Sequence, residues 1–244
     1  MSAVIIIPAR LASTRLPRKL LLDLAGKPVL QRTYEQASKS RRAGRVIIAA
    51  DCDEILLAAK AFGAEAVLTR ADHQSGSERI AEAAREADAD IIANIQGDEP
   101  EIDPDHIDSL IEAQEIAGLF ATTLACPFPA HLDPAYPAAV KVALGDPIDR
   151  EKRIYEAQNF SRTPPAGSKS EDLLLHIGAY AYTRDSLQRF ISLPRGAREA
   201  AESLEQLRII ENGEHIAIRL VDKAARGVDT AEDLAAARTR LAGT

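Results

Sequence analysis

Short apolar runs that alternate with helical patterns constrain the fold of this chain more than any other feature of its sequence. Four runs of strand length occur in the first part of the chain, at positions 4–7, 46–50, 66–68 and 91–95. Helical patterns separate these runs, and between residues 78 and 87 apolar side chains recur on one helix face. The alternation predicts an α/β fold with a mostly parallel sheet, right-handed crossovers and helices on both sheet faces.

The second half of the chain has a different pattern. Strand-like runs at 120–126, 139–144, 154–160 and 177–182 follow one another with less helix between them. They predict an inserted, partly antiparallel layer over roughly residues 120–195, with a loop at 163–172. A helix at 199–212, a strand at 216–221 and a last helix from Ala231 then restore the α/β pattern. The length of 244 residues suits a single domain over residues 1–244.

Composition excludes several classes of partner. Trp is absent, aromatic residues make up 4% of the chain and the formal net charge is −7, which argues against a nucleic-acid-binding surface. No run of eighteen apolar residues occurs, so no membrane partner or span is expected. Cys52 and Cys126 are isolated thiols without zinc-site spacing. The amino terminus lacks a basic segment typical of export signals, and we expect a cytoplasmic protein.

A basic loop directly follows the first predicted strand. Residues 8–19 contain four cations, Arg10, Arg15, Arg18 and Lys19, and no carboxylate appears before Asp23. Open α/β sheets bind ligands at the carboxyl ends of their strands, and a nucleoside triphosphate brings about four negative charges that Arg and Lys match. The patterns GxxxxGK[ST] and GxGxxG are both missing. The loop therefore predicts a phosphate site of another type, although a solvated basic loop is the alternative.

At this loop the sequence resembles the 3-deoxy-manno-octulosonate (Kdo) cytidylyltransferases. The resemblance continues in the family's order over nearly the whole chain, through residues 69–79, 94–100, 159–162, 176–180, 204–208 and 227–230. Two departures stand out. Arg18 occupies a position where family members usually have Gly, and residues 163–167 differ from the usual segment.

The resemblance implies a fold and an activity. The fold would be a Rossmann-like nucleotidyltransferase sheet, with the inserted layer serving dimerisation and substrate binding. The enzyme would transfer CMP from CTP to the anomeric 2-hydroxyl of Kdo, releasing pyrophosphate and giving CMP-Kdo for lipopolysaccharide synthesis. It also implies Mg²⁺ as cofactor, CTP and Kdo as partners, and a homodimer.

The same resemblance assigns site residues. It implies Lys19, Arg15, Asp98 and Asp229 as catalytic residues, with Asp98 and Asp229 as the magnesium ligands. The implied nucleotide-binding residues are Arg10, Arg15, Lys19, Arg70, Ser75, Gly76, Arg79 and Gln96. The implied sugar-binding residues are Arg162, His176, Tyr180, Glu205 and Gln206.

Simpler roles remain open for several of these residues. Asp98 in a GDEP sequence is also a typical turn former. Asp229 could favour the dipole of the last helix, next to a capping box formed by Thr230 and Asp233. Ser77 could be the N-cap of the helix at 78–87. A histidine such as His176 in an apolar strand is more often a satisfied core group than an acid–base catalyst, so we assign it to binding.

Three other functions are alternatives to this one. A sialic-acid cytidylyltransferase would run the same chemistry on a nine-carbon sugar. A glycosyltransferase would use the DxD-like Asp51-Cys52-Asp53, although Asp53 is better interpreted as a helix N-cap. A non-catalytic nucleotide-binding protein would follow if Arg18 disrupts the loop. The sequence leaves open the exact sugar acid, including an 8-amino variant of Kdo, and the oligomeric state.

Overall fold

The computed structural model describes residues 1–242, which contain eleven strands and eight α-helices. The strands are β1 (Ala3–Ala9), β2 (Asp23–Leu24), β3 (Lys27–Pro28), β4 (Arg45–Ala50), β5 (Glu65–Leu68), β6 (Ile91–Asn94), β7 (Ala121–Pro127), β8 (Lys141–Asp149), β9 (Ile154–Ser161), β10 (Leu174–Thr183) and β11 (Ile216–Leu220). The helices are α1 (Val29–Ala37), α2 (Asp53–Ala61), α3 (Gly76–Ala83), α4 (Pro104–Ala117), α5 (Arg184–Phe190), α6 (Ala197–Glu202), α7 (Gln206–Glu211) and α8 (Ala231–Ala242). Short 3-10 helices cover Lys19–Leu21 and Ser170–Asp172.

The chain divides into two compact units. Residues 1–108 and the segment that starts at Ala225 form the first unit, and residues 109–224 form the second. The chain therefore leaves the first unit inside α4 and returns to it just before α8. The expectation of a single domain over residues 1–244 stays a prediction. No helix within residues 1–242 is long and apolar enough to cross a membrane.

The first unit contains a parallel sheet with the strand order β5-β4-β1-β6. Its central strand β1 is apolar throughout, and Ile5, Ile6 and Ile7 are completely buried, as expected for a strand covered on both faces. The predicted parallel strands are confirmed. Since parallel strands end at the same edge, the chain segments that begin at Arg10, Asp51 and Ile95 all start there.

The second unit contains the strands β10-β7-β11-β9-β8 in this order. Strands β7 and β11 are parallel, and the other neighbouring pairs are antiparallel. The register between β10 and β7 shifts between Ile177 and Tyr180, which marks a bulge. The prediction of a partly antiparallel layer is confirmed, and with it the α/β fold class.

Several local predictions are corrected by the structure. The helix expected at 199–212 is two helices, α6 and α7, because Ser203 has a left-handed backbone with φ 52°. The N-cap of α3 is Ser75, whose side chain accepts from the Glu78 N–H, and not Ser77. Cys52 is the N-cap of α2, and Asp53 is the first helical residue instead of the cap. In α3 and α2 the N-cap therefore lies two residues and one residue, respectively, before the expected position.

Candidate active site

A cleft opens where β1 and β6 end in the first unit. It is lined by Pro8, Arg10, Ala12, Lys19, Leu20, Gln96, Gly97 and Asp98. Gly97 allows the two segments to approach: a Cβ there would lie 3.2 Å from the Pro8 carbonyl oxygen and 3.4 Å from the Leu20 side chain. The Gly97 carbonyl in turn accepts a hydrogen bond of 2.9 Å from Thr33 on α1. A larger residue at position 97 would therefore force the basic loop away from β6.

One ammonium group joins two distant carboxylates beside this cleft. Lys19 Nζ donates to Asp98, and it also donates to Asp229 at 2.8 Å. Arg15 lies 3.0 Å from the same Asp229 oxygen, Oδ1. Burial acts to lower the pKa of Lys19, but the two carboxylates outweigh it and the pKa is raised. The structure thus brings together Lys19, Arg15, Asp98 and Asp229, the four residues expected to be catalytic.

The start of α8 explains why the Asp229 side chain is available. Thr230 Oγ1 accepts from the Asp233 N–H at 3.1 Å, and Asp233 accepts from the Thr230 N–H at 2.9 Å. This is the capping box expected from the sequence. Because Thr230 and Asp233 cap the helix, the Asp229 carboxylate can face Lys19 and Arg15 instead. Asp98 is fixed through its backbone, whose carbonyl accepts from the Val228 N–H at 2.8 Å.

Glu99 is a further carboxyl group at this site that the sequence reasoning missed. Burial raises its pKa to about 8, and the nearby Asp98 and Asp229 add to the effect. Gly227 makes room for it, since a Cβ on Gly227 would lie 2.9 Å from Glu99 Oε1. The sequence signal was present in the adjacent acids Asp98-Glu99, but nothing in the sequence shows which of the two is buried.

The pair Asp98 and Asp229 has the donor chemistry that Mg²⁺ prefers. Both carboxylates contact the same ammonium group, so their oxygens already converge on one cation. Among residues 1–242 no three His, Cys, Asp or Glu side chains cluster closely enough to form an all-protein metal site. A two-carboxylate site with its remaining positions filled by water and substrate phosphates fits Mg²⁺. The residues present therefore fit this ion.

The other expected nucleotide residues fall into two groups. Arg10 and Gln96 line the cleft, and the Gln96 amide donates to Asn94 at 3.1 Å. Arg70, Ser75, Gly76 and Arg79 do not line it. Arg79 is only 4% exposed and donates to the Thr69 hydroxyl and to the Arg70 carbonyl. Arg79 is thus placed to support the segment at 69–76 more than to reach an open surface.

Four of the expected sugar residues cluster in the second unit. The His176 ring lies between Phe160 and Tyr180, with ring centroids 5.1 and 5.6 Å away. Burial lowers the pKa of His176 to about 3, so the ring is neutral. Burial also raises the pKa of Tyr180, and the nearby Glu205 contributes. Gln206 is buried, and its Nε2 has no hydrogen-bond partner among the described residues.

The tautomer of His176 follows from its partner. His176 Nε2 lies 3.0 Å from Thr123 Oγ1, and this hydroxyl also lies 2.7 Å from the Ala179 carbonyl and 3.1 Å from the Ile177 carbonyl. The single hydroxyl proton goes to a carbonyl, so His176 Nε2 is the donor to Thr123. The neutral ring with its proton on Nε2 suits a binding role.

Arg162, the fifth residue expected to bind the sugar, contacts the backbone of its own unit. Its guanidinium donates to the backbone carbonyls of Glu202 (2.6 Å), Pro137 (2.7 Å) and Ser203 (3.2 Å). These contacts hold the end of α6, where the backbone turns through Ser203 towards Glu205 and Gln206. The donors of Arg162 are therefore directed at the chain itself.

Arg18 has a strained backbone. Its φ is 58° and ψ 25°, in the left-handed region that glycine tolerates best. The side chain forms an ion pair with Glu54 on α2. A left-handed backbone at this position is consistent with the Gly that the resembling family usually has there.

Comparisons with known proteins identify a family of cytidylyltransferases. A family model described as Cytidylyltransferase matches residues 4–216. The 3-deoxy-manno-octulosonate cytidylyltransferase of Chloroherpeton thalassium is 45% identical, over 99% of this chain and 98% of that protein. That of Escherichia coli is 39% identical, over 98% of this chain and 96% of that protein.

A solved structure matches over the whole length. It is described as CMP:2-keto-3-deoxy-manno-octonic acid synthetase complexed with CTP, and it is 39% identical with a TM-score of 0.91, covering 100% of this chain and 99% of that one. Together with the clustered Lys19, Asp98 and Asp229, these matches settle the family. The chain belongs to the 3-deoxy-manno-octulosonate cytidylyltransferases.

Proposed function

We propose that this protein transfers CMP from CTP to the anomeric 2-hydroxyl of Kdo and releases pyrophosphate. The observation that carries the proposal is the convergence of Lys19 and Arg15 on Asp98 and Asp229 beside the cleft. This arrangement combines cations for a polyphosphate with carboxylates for a hard cation, which is what nucleotidyl transfer requires. The similarity to Kdo cytidylyltransferases and to a structure complexed with CTP supports the choice of substrates.

The basic residues would hold the triphosphate. Lys19 has three N–H donors, of which two go to Asp98 and Asp229, so one is left for a phosphate oxygen. Arg15 and Arg10 would bind the outer phosphates, and their charge would stabilise the departing pyrophosphate. The hydroxyl attacks the α-phosphorus directly, so no covalent enzyme intermediate forms. Arg70, Ser75, Gly76, Arg79 and Gln96 are proposed for the cytosine and ribose, in direct contact or by holding the segment around them.

Mg²⁺ bound by Asp98 and Asp229 would neutralise charge on the α-phosphate and lower the pKa of the attacking hydroxyl. Lys19 would then keep both carboxylates in position from the side of the loop. Arg15 would balance the charge on Asp229 while its exposed side chain remains within reach of a phosphate. These contacts orient the reacting groups, which is the main contribution of the protein in phosphoryl transfer.

The second unit would bind the sugar acid. The unpartnered Gln206 Nε2 is a buried donor, and such a group is costly unless a ligand oxygen satisfies it. His176, Tyr180 and Glu205 offer donors and acceptors suited to the hydroxyls of Kdo. Arg162 would act mainly by holding the turn that precedes Glu205 and Gln206. We further propose a cytoplasmic homodimer whose product feeds lipopolysaccharide synthesis.

A pyrophosphate-release assay tests the proposal. Purified protein with MgCl₂ is given CTP, UTP or ATP, each with Kdo, 8-amino-Kdo or a sialic acid. We expect the highest kcat/KM for CTP with Kdo, and no pyrophosphate when either substrate is omitted. Equal or faster turnover with a sialic acid, or with UTP or ATP in place of CTP, would contradict the proposal. A glycosyltransferase would release no pyrophosphate under any of these conditions.

A further inference from the structure

Asp51 belongs to the Asp51-Cys52-Asp53 sequence, which the proposed function leaves without a role. Asp51 directly follows β4, the neighbour of β1 in the parallel sheet. Both of its carboxylate oxygens accept from the Leu11 N–H, at 3.1 and 3.0 Å. Its own N–H donates to the Ala9 carbonyl at 3.0 Å. Asp51 is therefore bonded to the chain on both sides of Arg10.

Asp51 also affects a buried cation on α3. Arg79 is 4% exposed, and it donates to the Thr69 hydroxyl and the Arg70 carbonyl, neither of which is charged. Burial lowers the pKa of Arg79, whereas the nearby Asp51 raises it and the nearby Arg10 lowers it. The charge of Asp51 therefore offsets part of the repulsion between Arg79 and Arg10.

The contacts of Asp51 exclude the interpretation of Asp51-Cys52-Asp53 as the DxD motif of a glycosyltransferase. The oxygens of Asp51 are directed at the Leu11 peptide, while Asp53 is exposed in the first turn of α2. The two carboxylates therefore have different surroundings, and only Asp51 is part of the strand edge that forms the cleft.

We propose that Asp51 is a positioning residue for the triphosphate. This inference rests on the proposed function, because the triphosphate is the ligand that Arg10 would bind. By holding the Leu11 N–H, Asp51 fixes the backbone next to Arg10 and so directs the Arg10 side chain into the cleft. Its charge also permits Arg10 and the buried Arg79 to lie close together before a nucleotide arrives.

Two substitutions separate the hydrogen bond from the charge. Asp51→Asn keeps an oxygen that can accept from Leu11 but removes the negative charge, whereas Asp51→Ala removes both. Loss of one charge-assisted hydrogen bond that orders a binding group corresponds to roughly a tenfold change in affinity. We expect Asp51→Ala to raise the Kd for CTP and for pyrophosphate about tenfold, and Asp51→Asn to restore most of this loss.

Calorimetric titration of each variant with CTP and with pyrophosphate, in MgCl₂, measures this effect. Asp53→Asn, in the same sequence but outside the cleft, is the matched control and should bind both ligands like the wild type. In steady-state assays Asp51→Ala should raise the KM for CTP and leave the KM for Kdo unchanged. Thermal unfolding shows that each variant is folded at the assay temperature.

Three outcomes would overturn the inference. Unchanged CTP affinity in Asp51→Ala, with a lower unfolding temperature, would show a structural role alone. Tighter pyrophosphate binding in both Asp51 variants would show that only the charge matters and that it opposes the ligand. Equal weakening in Asp51→Asn and Asp51→Ala would show that the Leu11 bond does not position Arg10. A wild-type protein that binds CTP but forms no product from Kdo would contradict the proposed function. The CTP and pyrophosphate affinities of the Asp51 variants would still test the positioning role of Asp51.

Discussion

At the scale of single residues, Asp98 and Asp229 make the sharpest test of the site. We expect Asp98→Asn and Asp229→Asn each to slow turnover by about 10² or more, the scale of losing one key electrostatic stabiliser. Because both carboxylates contact one cation in the structure, the double variant should be little worse than the worse single one. Steady-state assays at saturating and at limiting Mg²⁺ measure these effects.

Glu232→Gln is the matched control, since Glu232 is an exposed acid in the first turn of α8. It removes one charge that favours the helix dipole, so it should lower stability by about 1 kcal/mol or less and leave turnover nearly unchanged. Normal turnover of both Asp98→Asn and Asp229→Asn at limiting Mg²⁺ would place the metal site elsewhere.

Arg18 carries two opposing effects that a substitution separates. Its left-handed backbone costs about 1 kcal/mol relative to glycine, while its exposed ion pair with Glu54 contributes about 0–1 kcal/mol. Arg18→Gly should therefore leave stability nearly constant or slightly raised, with turnover intact. Ala25, with φ 53° and no ion pair, is the control, and Ala25→Gly should show the backbone gain alone. A loss of turnover above tenfold in Arg18→Gly would show that its guanidinium contacts the triphosphate.

Gly227 tests the packing around the buried Glu99. An added methyl group at Gly227 would lie 2.9 Å from Glu99 Oε1 and 3.5 Å from the Asp98 carbonyl oxygen. Gly227→Ala should destabilise the fold by about 1–3 kcal/mol, the usual cost of overpacking, and should slow turnover by displacing Asp98. Gly44→Ala, where nothing lies within 4 Å, should change neither quantity by much. Chemical denaturation and the pyrophosphate assay measure both, and a fully active, stable Gly227→Ala variant would contradict this packing.

Sequence reasoning at this scale succeeded where a residue has a recognisable pattern. The Thr230–Asp233 capping box was expected from the sequence, and it is present. Asp51 and Glu99 were missed as site residues for a physical reason. Asp51 contacts Leu11, which lies 40 positions away in the chain, and Glu99 is distinguished by its burial. Local sequence spacing encodes neither property.

At the scale of elements, a buried ion pair joins two short helices. Arg208 on α7 donates to the fully buried Glu199 on α6, with Nε at 2.8 Å, and stacks over Phe190. Removing Arg208 leaves the buried Glu199 with only the exposed Arg195, at 3.3 Å, as an ionic partner, and breaking such a buried pair costs up to about 3–5 kcal/mol. We expect Arg208→Leu to lose about this much stability. The double variant Glu199→Leu/Arg208→Leu should recover part of it, because no buried charge remains.

Denaturant unfolding of the two single variants and the double variant measures this coupling. The control is Glu171→Gln, at an exposed acid. Glu202→Gln would be unsuitable, because the Glu202 carboxylate accepts from the Arg162 N–H. Additive losses in the double variant would show that Glu199 and Arg208 are not coupled.

The helices α6 and α7 also show where element prediction fails. Apolar periodicity runs continuously through 199–212, so the sequence alone gives one helix. The break at Ser203 has no glycine or proline to mark it. Arg162, in the segment that follows β9, stabilises the break through its contacts to the Glu202 and Ser203 carbonyls. The parallel strands were predicted well, because each is a short buried run that carries its own signal.

At the scale of the whole molecule, His176 couples protonation to unfolding. The pKa of His176 is about 3 in the folded protein and about 6.5 in an unfolded chain, so between these values only the unfolded state binds the proton. Stability therefore falls as the pH drops below about 6.5. Between pH 8 and pH 5, protonation of His176 in the unfolded chain lowers the free energy of unfolding by at most about 2 kcal/mol. The partial exposure of the residue makes this loss smaller.

His176→Gln keeps an N–H donor for Thr123 and removes the titration. We expect its free energy of unfolding to fall less between pH 8 and pH 5 than that of the wild type, as measured by urea unfolding at each pH. His215→Gln, at an exposed histidine, is the control and should follow the wild type. Parallel pH curves for His176→Gln and the wild type would show that the ring is protonated in the folded state.

The contact between Lys19 and Asp229 spans 210 positions of the chain, and it sets an order of events during biosynthesis. Ribosomes add about 5–20 residues per second, so roughly 10–40 seconds separate the synthesis of these two residues. Residues 109–224 are complete before Asp229 exists, and the first unit must wait for its last helix. A nascent chain therefore carries Lys19 and Asp98 without Asp229 for much of this interval, and the carboxylate pair that would hold the metal is completed only after residues 109–224 have been synthesised.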